Sequence, residues 1–370
     1  MSVTEIAVTV VQVILLFLGA TVVFDTIHYI LHQFAVSRWT VLRAIGDLHE
    51  THHRFLDRNL ELHEEYRKAN LRRHVIPEFF THISVSLCFL LILPPRVVYP
   101  TMVLQTLVFL LILRCKGEDI NHREVPIVRA YRPTYVCMPQ YHFLHHAYPD
   151  AHYSSWIKLF DHVVGAGMSL TGKRVLITGA TGAFGSALRS SLQKSKVKEI
   201  KSFEYGTDFD SEDLSTLESV LSETDILVLC HGSTGDDAMT ASCDSYVRLI
   251  ECFQQATRER KLPVEVWALG SELELRRARR SDELSYARAK QAFVRHARQL
   301  YTGKHVIYRH PVAPVYRPSD EPSPSSMRLA ARAALFFIRC GFNYVPATLT
   351  GLAALNLIKF RFFVRPTETA

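Results

Sequence analysis

Three histidine clusters restrict this chain more than any other feature. His28-Tyr-Ile-Leu-His32 has the spacing HxxxH, and both His49-Glu-Thr-His52-His53 and His142-Phe-Leu-His145-His146 have HxxHH. On a helix, positions i, i+3 and i+4 share a face, so each cluster can aim two or three imidazoles at one point. Neutral imidazole is a ligand for iron, zinc and copper. Eight such nitrogens exceed what one tetrahedral zinc takes and suit two metal ions of higher coordination number. Fourteen of the 18 histidines lie at or before His162, so one half of the chain is built around imidazole.

The same half carries three apolar runs. Ile6 to Phe24 is 19 residues without a charge, close to the roughly 20 that a spanning helix needs. It lacks the basic start and small-residue cleavage site of a signal peptide, and its pattern continues into His28, so a membrane helix is expected. Phe79–Leu93 and Val97–Leu113, split by Pro94-Pro95-Arg96, predict a helical hairpin. One crossing followed by a hairpin puts residues 25–78 and 114–170 on one side. Residues 38–74 carry eight Arg or Lys and residues 1–5 carry none, so that side is expected to be cytosolic.

The second half differs in kind. Lys173-Arg-Val-Leu-Ile-Thr178 reads as a buried strand, and strand-like runs recur at Ile226–Leu229, Val264–Leu269 and His305–Tyr308 with helical stretches between. That alternation predicts an α/β domain with a doubly wound parallel sheet. Pro311–Ser326, with five prolines, reads as a linker, and the uncharged Cys340–Ile358 as a helix docked on a membrane surface. Lys and Arg exceed Asp and Glu by 43 − 36 = 7. The excess is spread among acids without interleaved aromatics, so no nucleic acid is expected. Seven cysteines without a CxxC pair are expected as free thiols.

The histidine pattern resembles the fatty acid hydroxylase / sterol desaturase superfamily of integral-membrane di-iron oxygenases over about residues 20–166. An isolated histidine after the hairpin matches His122, and the tail matches His152-Tyr153-Ser154-Ser155-Trp156 and Phe160-Asp161-His162. His152-Tyr153-Ser154 stands where the family usually has Asn-Tyr-Gly, which leaves His152 as either a ligand or a neighbour of one. The resemblance implies a ligand set of His28, His32, His49, His52, His53, His122, His142, His145 and His146. It also implies two iron ions, O2, a lipid or sterol substrate, and an electron donor such as a cytochrome or ferredoxin. Asp25, Asp47, Glu50, Glu118 and Asp161 are candidates for orienting the imidazoles. His63, His74 and His82 fall outside the pattern.

In the second half, Thr178-Gly179-Ala-Thr-Gly182-Ala-Phe184-Gly185 follows a predicted strand and opens a helix, as a pyrophosphate-binding turn does. Tyr286-Ala-Arg-Ala-Lys290 places a phenol and an ammonium on one helix face, with Ser271 ending the strand before it. These motifs resemble the short-chain dehydrogenase/reductase family over about residues 172–320. The resemblance implies Tyr286 as acid/base, Lys290 as its electrostatic partner and ribose contact, and Ser271 as substrate orienter. Cys230-His231-Gly232 stands where the family has Asn-Ala-Gly. With Thr178, Gly179, Gly182, Phe184, Gly185, Gly232, Tyr286 and Lys290 around the dinucleotide, NAD or NADP is expected. Glu204, placed to accept ribose hydroxyls, favours NAD. Arg276, Arg277, Arg279 and Arg280 read as a solvated face or a patch for acidic lipid.

The expected architecture is therefore mixed. An all-α membrane histidine-box domain spans 1–170, an α/β Rossmann domain 171–326, and an apolar membrane-associated segment 327–370. Together the halves resemble bifunctional sterol desaturase/short-chain dehydrogenases, which implies O2-dependent lipid hydroxylation or desaturation with a fused NAD(P)-dependent alcohol/carbonyl step. Two other readings stay open: a Rossmann half that binds nucleotide as a regulator, and a non-enzymatic membrane component of a larger complex with a structural metal.

Overall fold

The computed structural model describes residues 2–278, 283–313, 324–348 and 352–367. The chain divides into two compact units, Met1–Pro126 with Thr134–Gly167, and Ile127–Pro133 with Met168–Ala370.

The first unit is helical. Helix α1 (Val3–Ala35) opens on a capping box in which the Ser2 hydroxyl accepts from the Glu5 amide and the Glu5 carboxylate accepts from the Ser2 amide. At 1.5 Å per residue it is about 50 Å long, enough to cross a bilayer core and carry His28 and His32 past it. Helix α2 (Thr40–Phe55) turns back beside it. The next helical run spans Glu64–Leu91 and includes α3 (Arg67–Asn70), a π-helical turn at Leu71–Val75 and α4 (Ile76–Cys88). Helix α5 (Pro95–Arg114) completes the hairpin, with Pro95 in its first turn. The short helices α6 (Pro139–Ala147) and α7 (Leu159–Val164) follow. Val3–Ala35, Glu64–Leu91 and Pro95–Arg114 are each long and apolar enough to cross a membrane. The run at 64–91 begins fifteen residues before the apolar stretch that announced it (79 − 64 = 15), because its first turns carry charge.

The second unit is α/β. Its elements in chain order are β1 (Arg174–Thr178), α8 (Ala183–Gln193), β2 (Glu199–Phe203), α9 (Ser215–Glu223), β3 (Ile226–Leu229), α10 (Ser245–Ala256), β4 (Val264–Ala268), β5 (Gly270–Ser271), α11 (Leu284–Thr302), β6 (Val306–Ala313), α12 (Pro324–Arg339), β7 (Tyr344–Pro346) and α13 (Leu352–Phe362). The strands pair in parallel in the order β2-β1-β3-β4-β6-β5, with β7 also on β6. Alternate side chains feed two cores. Leu176, Leu227, Leu229 and Val266 pack with Phe253 and Phe293 on one face. Val175, Ile177, Val228 and Trp267 pack with Leu188 and Ile338 on the other. The chain order reverses between β1 and β3, which is where open α/β sheets bind ligands.

Two expectations about the end of the chain change. Pro311 lies inside β6, in register with Val345, so the strand continues past the first proline of the expected linker. Residues 314–323 of that linker lie outside the described residues. The apolar stretch Cys340–Ile358 supplies β7 and much of α13, and Tyr344, Ala353 and Phe360 are buried in the sheet's core. The stretch is thus a strand followed by a helix and not the single helix expected; one face of α13 joins the sheet's core while Leu355 and Ile358 stay exposed.

Gly46 sets how closely α1 and α2 approach. A Cβ at this position would lie 2.3 Å from the Ala35 nitrogen and 2.8 Å from the Leu31 carbonyl oxygen. Gly46→Ala must therefore push the helices apart, at a cost of about 1–3 kcal/mol. The thermal unfolding midpoint of the purified chain in detergent checks this; an unchanged midpoint contradicts it.

Candidate metal centre and candidate dinucleotide site

The nine histidines expected as ligands fall into two groups. His28, His32, His49, His53 and His145 form one, and His52, His122, His142 and His146 the other; within each group one ring nitrogen per residue lies within 4.8 Å of all the others. Helices α1, α2 and α6 each deliver histidines from one face, as the spacing dictates. His32 Nε2 is 3.2 Å from His49 Nε2 and 3.1 Å from His53 Nε2. His122 Nε2 is 2.8 Å from His142 Nε2.

The rings are held from behind. His52 Nδ1 donates to Asn70 Oδ1 (3.0 Å), His145 Nδ1 to the Ala151 carbonyl (2.8 Å), His146 Nδ1 to the Leu56 carbonyl (2.8 Å), and His122 Nδ1 to Asp119 (2.9 Å). Each bond fixes the tautomer and leaves Nε2 with its lone pair. Nε2 of His28, His52, His145 and His146 is buried without a partner. Orphaned polar atoms of this kind are costly unless something binds them, so the residues fit metal ions. Burial, reinforced by neighbouring imidazoles, holds His49, His52, His53, His142 and His146 well below the usual histidine range. Burial brings His145 to about 4. Those imidazoles are neutral at pH 7, the form that binds metal. Burial also opposes charge on His122, but the Asp119 carboxylate prevails and raises it.

Sequence reasoning missed His74, Asp119 and Asn70. His74 is buried, with Nδ1 3.2 Å from His49 Nδ1 and its ring stacked on His52 at 3.7 Å. Its Nε2 lies 3.6 Å from Glu78. The i+4 pair His74 and Glu78 was the available signal.

Of the expected orienting carboxylates, Asp47 and Glu118 are exposed, and Glu50 lies 3.9 Å from His32. Asp25 and Asp161 are buried but hold the 153–155 segment. Asp25 accepts from the Ser155 amide and hydroxyl; Asp161 accepts from the Tyr153 and Ser154 amides and the Tyr141 hydroxyl. His152 belongs to neither histidine group; it adopts φ 62° and packs against Tyr141.

A cavity of about 240 Å³ meets the histidines. His28, His52, His122 and His142 form part of its wall, and Phe17, Phe24, Phe79, Val108, Phe109 and Ile112 from the apolar helices much of the rest.

In the second unit the glycine loop leaves β1. Gly179 has φ +68°, and a Cβ there would lie 2.5 Å from the His231 nitrogen. A Cβ on Gly185 would lie 2.1 Å from the Gly179 carbonyl oxygen. Gly182 caps α8, so backbone N–H groups of the first turn stand free for an anion. Phe184 lies in that turn, its side chain buried in the core, and Gly232 packs against the Ser242 hydroxyl. The Glu204 carboxylate accepts from the Thr181 amide (3.1 Å) and hydroxyl (2.9 Å). His231 bridges Thr178 (2.7 Å) and Ser245 (2.8 Å).

Ser271, Tyr286 and Lys290 come together. Ser271 stands beside the Tyr286 phenol, and Lys290 Nζ lies 5.6 Å from the Tyr286 ring centroid while donating to the Leu269 carbonyl (2.7 Å). Burial pushes the Tyr286 phenol up to about 12, with the neighbouring Ser271 hydroxyl opposing it, and brings Lys290 down to about 8. Arg276 and Arg277 follow Ser271; Arg279 and Arg280 lie outside the described residues.

Lys290 gives a pH test. Its folded-state value is below the ordinary 10.5, so between about pH 8 and 10.5 the unfolded chain holds the proton that the folded chain has released. Stability then rises with pH through that window. Relative to Lys290→Met, the wild type should gain stability from pH 8 to pH 10 in thermal melts; a parallel response contradicts the burial described.

No family model matches the chain. A curated relative, the monoglucosyldiacylglycerol epimerase of Synechocystis sp. (strain ATCC 27184 / PCC 6803 / Kazusa), is 27% identical over 187 residues, covering 42% of this chain and 45% of that protein. The chain thus spans under half the length of that relative. Among solved structures, a short-chain dehydrogenase from Burkholderia cenocepacia J2315 in complex with NADP is 15% identical, with a TM-score of 0.42 over 53% of this chain and 100% of that one. A short-chain dehydrogenase/reductase family oxidoreductase from Burkholderia thailandensis is 17% identical, with a TM-score of 0.39 over 53% of this chain and 99% of that one. By its own strand order and glycine loop, part of this chain has a Rossmann-like doubly wound parallel sheet.

Proposed function

We propose that the chain is a membrane-bound lipid oxidoreductase with a dinuclear iron centre and a fused nicotinamide-dependent unit. One observation carries this reading: two groups of imidazoles, four of them fixed from behind and four with an unpartnered Nε2, meet an apolar cavity formed among helices fit to cross a membrane. His28, His32, His49, His53 and His145 would hold one ion, and His52, His122, His142 and His146 the other. Iron in such a site supplies O2 activation for hydroxylating or desaturating an unactivated C–H bond, with electrons from an external donor such as a cytochrome or ferredoxin. The chain's own contribution is to orient the rings, exclude water with the aromatic wall, and present an aliphatic segment to the histidines. Eight basic residues at 38–74 favour a cytosolic location for the histidines.

In the second unit, residues 179–185 would cradle a pyrophosphate and Glu204 the adenosine ribose, which favours NAD. Bound there, the nicotinamide supplies hydride transfer between an alcohol and a carbonyl. Tyr286 would exchange the proton with the substrate oxygen, Ser271 would hold that oxygen, and the Lys290 ammonium would favour the phenolate. A second reading of this unit, epimerisation of a sugar carbon on a glycolipid, is favoured by the curated relative, whose name specifies such a lipid. Net dinucleotide turnover separates the two: one reduced or oxidised per product for oxidoreduction, none for epimerisation.

Metal counting by mass spectrometry on the chain expressed with iron should give near two irons per chain, lost in a His145→Ala, His146→Ala variant. No iron, or zinc in its place, contradicts the proposal. Tyr286→Phe should lower alcohol/carbonyl conversion by about 10²–10⁴-fold while leaving iron content unchanged; undiminished conversion removes Tyr286 from the chemistry.

A further inference from the structure

Helix α4 and the turn before it carry a polar stripe through an otherwise apolar span. His74, Glu78, His82 and Ser86 succeed one another at intervals of four residues, so they lie along one helix face. Ionisable groups inside a spanning segment are expensive and are retained where they act. His74 and Glu78 stand beside the histidine groups. His82 and Ser86 lie farther along the span, away from His74.

His82, Glu78 and Gln105 all line the apolar cavity. His82 turns Nε2 toward Glu78 Oε1, 3.7 Å away, and its ring packs on Phe24. Its Nδ1 is buried without a partner. Gln105, on α5, is 4% exposed; its Oε1 accepts from the Ser86 hydroxyl at 3.0 Å, and its Nε2 is buried without a partner. Ser86 is one turn beyond His82, so its bond to Gln105 holds that amide beside the next turn of the stripe, on the wall of the same cavity.

The two open valences differ in kind. With Nε2–H directed at the Glu78 carboxylate, His82 Nδ1 is an acceptor, and the Gln105 amide nitrogen is a donor. A hydroxyl donates once and accepts through its lone pairs, and so satisfies both. A saturated chain satisfies neither and leaves two buried polar groups unpaired, and an ether or ketone satisfies only Gln105.

We infer that His82 and Gln105 form a hydroxyl-binding subsite, so that the lipid in this cavity already carries an alcohol some distance from the carbon presented to the histidines. The inference rests on the cavity being the lipid site of the proposed function. Glu78 acts through His82 as a positioning residue that sets its tautomer.

The test uses the full chain in phosphatidylcholine nanodiscs and a diazirine-bearing octadecanol probe, photo-crosslinked and located by peptide mapping. Octadecan-1-ol and 1-methoxyoctadecane compete; they share a chain, but the ether lacks the donor. In the wild type the alcohol should displace the probe about tenfold more effectively, the worth of one good hydrogen bond. His82→Phe should cut the preference toward parity without weakening competition by the ether, and Gln105→Leu should weaken alcohol and ether alike, since both oxygens accept from its amide. Crosslinks in the cavity with equal competition in the wild type would overturn the subsite but leave the cavity as the lipid site. A preference that survives His82→Phe, or ether competition that is untouched by Gln105→Leu, would overturn it equally. Crosslinks falling only outside the cavity would instead overturn the reading on which the subsite rests. The wild-type comparison needs no variant to fold.

Discussion

The first unit depends on hydrogen bonds made by the far side of four of its imidazoles. A buried histidine ring has two nitrogens, and only one can face the centre. Asn70, Asp119 and the carbonyls of Ala151 and Leu56 take Nδ1 of His52, His122, His145 and His146, and so determine which nitrogen is left. These anchors lie on a helix, on loops and on the strand-like exit from α2. The loops after α2, α5 and α6 are therefore as much a part of the centre as the helices that carry the rings. Gly46 adds a steric condition, because α2 reaches α1 closely enough to bring His49 to His32 only where no side chain intervenes.

The second unit reaches a comparable result with backbone. Its glycines let β1 and α8 approach the strand end at Cys230–His231, leaving amide groups at the switch point of the sheet. Ser271 sits on a two-residue strand, and the buried Glu274 carboxylate beside it accepts from the Ser271 amide, His310 Nε2 and the Tyr344 hydroxyl. That network ties the Ser271 end of the sheet to β6 and β7. The chain's apolar end is consumed in building it.

Much of this was legible before any coordinates. Histidine spacing grouped the rings because helical periodicity is local, and β3 matched its apolar run residue for residue. What escaped was non-local. His74 lies in none of the three histidine clusters, its only local signal being Glu78 four residues on, and a π-helical turn and the close packing of α2 bring it against His49 and His52. Asp119 was hidden behind the more conspicuous Glu118, its exposed neighbour. The strand inside the Cys340–Ile358 run escaped because an apolar stretch of that length reads alike as helix or as buried strand; only the pairing of Tyr344–Pro346 with β6 separates the two.

The central claim is that nine imidazoles converge on two iron ions. X-ray absorption at the iron edge of the iron-loaded full chain tests it most directly. The account predicts a coordination shell of nitrogen and oxygen only, with the outer-shell scattering of about four to five imidazoles per iron and a second iron in the vicinity. Sulfur in the shell, one or two imidazoles per iron, or iron that scatters as an isolated hydrated ion would contradict it.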